Sequence, residues 1–269
     1  SPTIFQAAPH YGDEPPISRV NGAGIIFFSR CTLSYVYYQN FTWSMGGQGT
    51  EKDLTQLQTI MVNLDEQGCH NWNFVTPTPW VPMILAVIEK LNEIGVSLPI
   101  VYNTSGYERT DTLAMMDDIP VVYLTDLRYA SSQAAGKYSD AGDYVTFARP
   151  ALLKMVGQQG HLLCDDRGIA KSGVICRLLV LPDNASEAVE NLKWIADEIG
   201  TELYLSIMSQ FTPAHRASEF PEINRCLRKK EYDSVVEKAD ELGFNKGWIQ
   251  EFGQAESQQL AGYNMTSGF

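Results

Sequence analysis

The stretch Gly24-Ile25-Ile26-Phe27-Phe28-Ser29-Arg30-Cys31-Thr32-Leu33-Ser34-Tyr35-Val36-Tyr37-Tyr38 decides how this chain is read. Its first half is an apolar run of strand length without polar alternation, as expected of a strand covered on both faces. Its second half is a loop carrying one cysteine and three tyrosines. Comparable β-branched or aromatic runs lie at residues 73–75, 100–102, 121–124, 174–181 and 203–207, with a further one at 248–251. Between them, apolar residues recur at spacings of three and four in residues 54–64, 82–94, 184–199 and 231–242. Asp53 and Asn184 stand where caps belong, and Gly95, Gly200 and Gly243 where helices end. Strands alternating with helices predict a parallel sheet in the α/β class. The expectation is one domain over residues 1–269, a partial (βα)6 TIM-like barrel with peripheral extended segments at 1–22 and 253–269.

Such a barrel gathers the C-terminal ends of its strands on one rim, where sites are built. Polar residues follow every strand: Cys31 after the first, Thr76 and Thr78 after the second, Asn103, Thr104 and Ser105 after the third. Asp126 and Arg128 follow the fourth, Asp183 and Asn184 the fifth, Ser209 and Gln210 the sixth. Six in succession predict a shared binding mouth. Of the histidines, His10 and His215 border it, and no two of the four are paired at metal-ligand spacing.

Hydrophobic residues make up 44% of the chain and charged ones 19%, enough apolar material for a full core. A net charge of −12 repels phosphate backbones and anionic lipid, so nucleic acid and membrane are not expected partners. A small-molecule or metal ligand is expected, and a protein partner is compatible with the acidic exterior. Five widely spaced cysteines suit reduced thiols and the cytoplasm. Asn-x-Ser/Thr triplets at Asn40, Asn103, Asn184 and Asn264 keep a secreted or periplasmic location open.

Residues 7 to 251 resemble the iron–sulfur proteins related to pyruvate formate-lyase activating enzymes, the PflX-like group of the radical S-adenosylmethionine superfamily. The resemblance is carried by Ala8-Pro9-His10-Tyr11-Gly12-Asp13-Glu14-Pro15-Pro16, Ile26-Phe27-Phe28-Ser29, Gln39-Asn40, Val75-Thr76-Pro77-Thr78, Tyr102-Asn103-Thr104-Ser105-Gly106, Thr125-Asp126-Leu127-Arg128 and Ser206-Ile207-Met208-Ser209-Gln210. It implies a radical-SAM barrel whose first loop holds a [4Fe–4S] cluster through C-x3-C-x2-C, with S-adenosylmethionine chelated to the open iron. It further implies that Thr76, Thr78, Asn103, Ser105, Asp126, Arg128, Arg177, Ser209 and Gln210 surround that ligand. At the three cluster positions this chain reads Cys31, Tyr35 and Tyr38.

A phenol, with a pKa of about 10, is a hard ligand unsuited to a sulfide-bridged cluster. The expectation is therefore a radical-SAM-fold protein that has lost cluster ligation and S-adenosylmethionine cleavage but keeps a ligand- or metal-binding mouth. Cys31, Tyr35 and Tyr38 then either pack the vacated space or hold mononuclear iron or haem through tyrosine. Two alternatives stay open: an active activase-like enzyme that generates a 5′-deoxyadenosyl radical for a glycyl-radical enzyme, and a non-catalytic interaction module.

Overall fold

The computed structural model describes residues 1–38 and 47–253. The expectations placed on Gln39, Asn40, Asn264 and residues 254–269 lie outside them. Ten strands are described: β1 (Thr3–His10), β2 (Ala23–Phe28), β3 (Thr50–Glu51), β4 (Trp72–Val75), β5 (Ile100–Thr104), β6 (Val121–Asp126), β7 (Leu163–Cys164), β8 (Ala170–Leu179), β9 (Tyr204–Met208) and β10 (Gly247–Ile249). They form one sheet in the order β10-β9-β8-β6-β5-β4-β2-β1-β3, with β7 beside β8. From β2 to β10 the seven neighbours along this path run parallel in chain order, which places their C-terminal ends together. The two ends of the path do not pair with each other, so the barrel is open.

Alternation along each strand sorts side chains onto two faces. Ile26, Phe28, Trp72, Phe74, Tyr102 and Tyr123 belong to the large core beneath the helices. Trp72 buries its ring there and donates from Nε1 to the Met61 carbonyl at 2.9 Å. Ala23, Val101, Val122, Leu124 and Ile175 point the other way and pack with Ile17 into a second cluster filling the lower barrel. Higher on the same inner face the chemistry turns polar, at Asn103, Asp126, Arg177 and Ser206. Both faces are covered, which is why the strands read as unbroken apolar runs.

The N-terminal segment is extended, but it belongs to the sheet. β1 pairs antiparallel with β2, Ala8 opposite Ile25 and His10 opposite Ala23. Pro9 disguises this strand in the sequence. It is tolerated because β3 covers only the start of β1, leaving the outer side of Pro9 without a ladder partner among the described residues. The chain then turns under the barrel, where the short helix Pro15–Ser18 inserts fully buried Ile17.

The helix Leu54–Glu66 begins as its sequence predicts. Asp53 Oδ1 accepts the Gln56 N–H at 2.8 Å and Gln56 Oε1 accepts the Asp53 N–H at 3.0 Å. Asn184 does not cap a helix. Asp183, Asn184 and Glu187 all have positive φ, so a 3-10 turn (Pro182–Asn184) intervenes and the helix starts at Ala188. Two helices without a clear sequence signal, Ser132–Ser139 and Tyr144–Gln159, follow β6; the second carries Pro150 in its interior. No helix of the described residues is long and apolar enough to cross a membrane.

Candidate functional site

A cavity of about 220 Å³ opens at the C-terminal ends of the parallel strands and descends into the barrel. Ten of the residues anticipated from sequence line it: Cys31, Tyr35, Tyr38, Thr76, Asn103, Ser105, Asp126, Arg128, Arg177 and Gln210. Their convergence follows from the register, since Asp126 at the end of β6 lies opposite Arg177 on β8.

The centre of the wall is an ion network. Asp126 accepts from Arg177 Nε at 2.8 Å through one carboxylate oxygen and from an Arg128 terminal nitrogen at 2.6 Å through the other. Arg177 also donates to Asn103 Oδ1 at 2.6 Å. One carboxylate thus holds two largely buried guanidiniums, whose positive charge its proximity stabilises against desolvation.

The guanidinium of Arg128 lies over the Tyr35 ring, 4.2 Å from its centroid. Tyr35 in turn stacks against Tyr38 at 5.1 Å and Tyr37 at 5.5 Å between centroids. Tyr37 hydrogen-bonds Tyr129 hydroxyl to hydroxyl at 2.8 Å, and Tyr129 continues to Ser139 at 2.6 Å. Burial drives the Tyr35 hydroxyl well above the usual phenol range, with the Arg128 charge opposing only in part, so Tyr35 is a neutral phenol. Burial raises the Cys31 thiol likewise. The loop from Cys31 to Tyr38 is therefore an aromatic stack capped by a cation, and its three positions supply one protonated thiol and two rings.

Two backbone features hold the rim. Thr76, a β-branched residue at φ +55°, is in a strained left-handed conformation. Its hydroxyl donates to the Phe28 carbonyl and its N–H to the Asn103 carbonyl, both at 2.9 Å, which ties together the ends of β2, β4 and β5. Gly106 sits at φ +78°, where a Cβ would come within 2.2 Å of the Asp126 carbonyl oxygen. Only glycine lets this loop close against β6.

Two anticipated residues lie elsewhere. Thr78 donates at 2.5 Å to Glu108, a buried carboxyl that Thr104 also reaches at 2.5 Å and that burial pushes up to about 7. The buried Ser209 gives its N–H to Gln250 Oε1 at 2.8 Å. His10 lines the cavity, and His215 is not among its lining residues. Sequence reasoning passed over Asp13 and Glu14, which line the floor, and Tyr37 within the loop. The fragment Gly12-Asp13-Glu14-Pro15-Pro16 was the available signal, two adjacent acids just before a helix that the barrel buries. Asn103, enclosed and bonded to Arg177, is no glycan acceptor.

The family pattern demands three thiolates for a [4Fe–4S] cluster. All five cysteines are among the described residues, all are free, and Cys31 alone lines the cavity. The residues present do not fit that cluster. Among the described residues, no group of three or more His, Cys, Asp or Glu side chains is arranged to hold a metal ion.

No family model matches the sequence. An uncharacterized protein of Methanocaldococcus jannaschii is 24% identical over 229 residues, 82% of this chain and 62% of its own length. The crystal structure of HydG, a maturase of the [FeFe]-hydrogenase, superposes with a TM-score of 0.57 at 13% identity, over 84% of this chain and 50% of that one. The X-ray structure of HydG from Carboxydothermus hydrogenoformans gives 0.55 at 11% identity, over 84% and 52%. The chain shares the open α/β-barrel fold of HydG. The chain spans 62% of the length of the curated relative and about half of these solved chains.

Proposed function

We propose that this radical-SAM-fold protein does not ligate a [4Fe–4S] cluster, does not cleave S-adenosylmethionine, and binds a small polar organic ligand in the barrel cavity. The observation that carries this reading is the packing of the Tyr35 ring against Tyr37 and Tyr38 with Arg128 over it, at the loop where the resembled family's pattern requires thiolates. A guanidinium over Tyr35 repels a metal cation, and the phenol is neutral, which speaks against iron or haem held through tyrosinate. The forks of Arg128 and Arg177, fixed by Asp126, and the amide of Asn103 are preorganised partners for polar groups.

Anaerobic reconstitution with iron and sulfide tests this directly. The expected result is no stoichiometric iron or sulfide, no cluster absorption in the visible, and no 5′-deoxyadenosine after reduction with S-adenosylmethionine. A full cluster complement with formation of 5′-deoxyadenosine would restore the activase-like enzyme.

A further inference from the structure

The cavity is electrically lopsided. Its upper wall carries the guanidiniums of Arg128 and Arg177, while its floor carries Asp13 and Glu14 from the segment that plugs the barrel from below. Asp126 is committed to both guanidiniums. Asp13 is positioned by two hydrogen bonds: its carboxylate accepts from Asn73 Nδ2 at 2.8 Å, and its backbone N–H donates to Ser18 Oγ at 2.9 Å.

Glu14 is different. It is only 9% exposed and forms no ion pair among the described residues, although the Arg177 charge acts on it and Ser206 is its hydroxyl neighbour. Its backbone carbonyl is occupied by the N–H groups of Ile17 and Ser18, so the residue cannot swing out of the floor without unwinding the Pro15–Ser18 turn. Burial raises the Glu14 carboxyl above its usual range, the Arg177 charge opposing only in part, and a cation delivered beside it would relieve the cost of ionising it there. Anchored in this way, Glu14 is a preorganised acceptor.

We propose that the floor formed by Glu14 and Asp13 is an ammonium-binding subsite, and that the cavity takes a small amino-acid zwitterion with its amine on the floor and its carboxylate toward Arg177. This rests on the reading of the cavity as a ligand site and adds the class of ligand. The volume agrees, since about 220 Å³ is below the usual range for drug-sized ligands and suits a molecule of roughly ten heavy atoms. The Ile25 and Phe27 side of the cavity offers apolar contact to an aliphatic side chain.

The test uses three matched probes on the full chain, followed by calorimetry: L-norleucine, which carries both charges, hexanoate, which lacks the amine, and pentylamine, which lacks the carboxylate. Norleucine is expected to bind roughly tenfold or more tightly than either single-charge probe. Glu14→Gln, nearly isosteric, is expected to abolish that preference while hexanoate binds at least as tightly as before, which also shows that the variant is folded. Asp13→Asn should weaken norleucine and pentylamine alike. Equal binding of hexanoate and norleucine, or a norleucine affinity indifferent to Glu14→Gln, overturns the ammonium subsite and leaves the polar-ligand reading standing. Failure of all three probes to bind overturns the zwitterion, whereas cluster assembly on reconstitution overturns the reading beneath it.

Discussion

Glu108 shows how a single buried side chain can record the protein's acid–base behaviour. Two threonine hydroxyls donate to one of its oxygens, yet the other oxygen has no partner, and neither does the Tyr102 hydroxyl beside it. Desolvation outweighs the two threonine hydrogen bonds and lifts the carboxyl from 4.5 to about 7. A value raised on folding means that the folded state holds the proton more tightly. The associated stability is therefore complete below about pH 4.5 and is lost as the pH rises through about 7. Glu108→Gln keeps the shape and removes the titration. In urea unfolding across this interval, the stability of the parent relative to the variant should fall by up to about 3 kcal/mol as pH increases. Parallel profiles for the two proteins would show that Glu108 ionises normally. None of this was visible in the sequence, where Glu108 is one more loop acid. Arg177 was legible only through the family resemblance, which implies a place for it around the ligand.

Elements were legible in proportion to how far one local rule governs them. β4, β5 and β6 announce themselves as apolar runs because each is covered twice, and the Asp53 capping box is written in the residues that form it. β1 was hidden by Pro9, and the start of the helix Ala188–Glu198 by a left-handed turn whose conformation the neighbouring packing decides. The loop from Cys31 to Tyr38 belongs to both kinds: its departure from the family pattern is plain in sequence, but the stacking that fills it is not. If, as proposed, the chain binds no cluster and this loop is the reason, introducing thiols here should permit cluster binding. The double substitution Tyr35→Cys with Tyr38→Cys is expected to take up iron and sulfide on anaerobic reconstitution, with visible absorption that the parent, treated alike, is expected not to show. The cost is the loss of an aromatic stack, about 3–5 kcal/mol for the buried Tyr35 ring and less for the partly exposed Tyr38. A folded double variant as colourless as the parent would place the loss in the surrounding mouth.

For the whole molecule, the open barrel raises the question of what keeps its interior dry and its edge protected. Both tasks fall to the first 22 residues. β1 occupies the hydrogen-bonding edge of β2, and Ile17 completes the inner cluster with Ala23, Val101, Val122 and Ile175. Asn71 Nδ2 donates to the Ile17 carbonyl at 2.7 Å, and Asn73 holds Asp13, so the parallel strands grip this segment by buried side-chain amides. Removing residues 1–22 would uncover the β2 edge, open the lower cluster to water and leave the amide groups of both asparagines without these partners. An unsatisfied buried amide costs about 1–3 kcal/mol, and an exposed apolar edge invites association. A domain's net stability is only about 5–15 kcal/mol, so these losses together are comparable with the whole. A chain starting at Ala23 should therefore lose its cooperative urea transition and its near-ultraviolet circular dichroism, and should associate at concentrations where the parent does not. A truncated chain with the parent's transition midpoint would mean that the parallel strands close without their floor, and that Glu14 reaches the cavity on a dispensable arm. The expected collapse makes the floor integral to the fold, which is the condition for a preorganised ligand site.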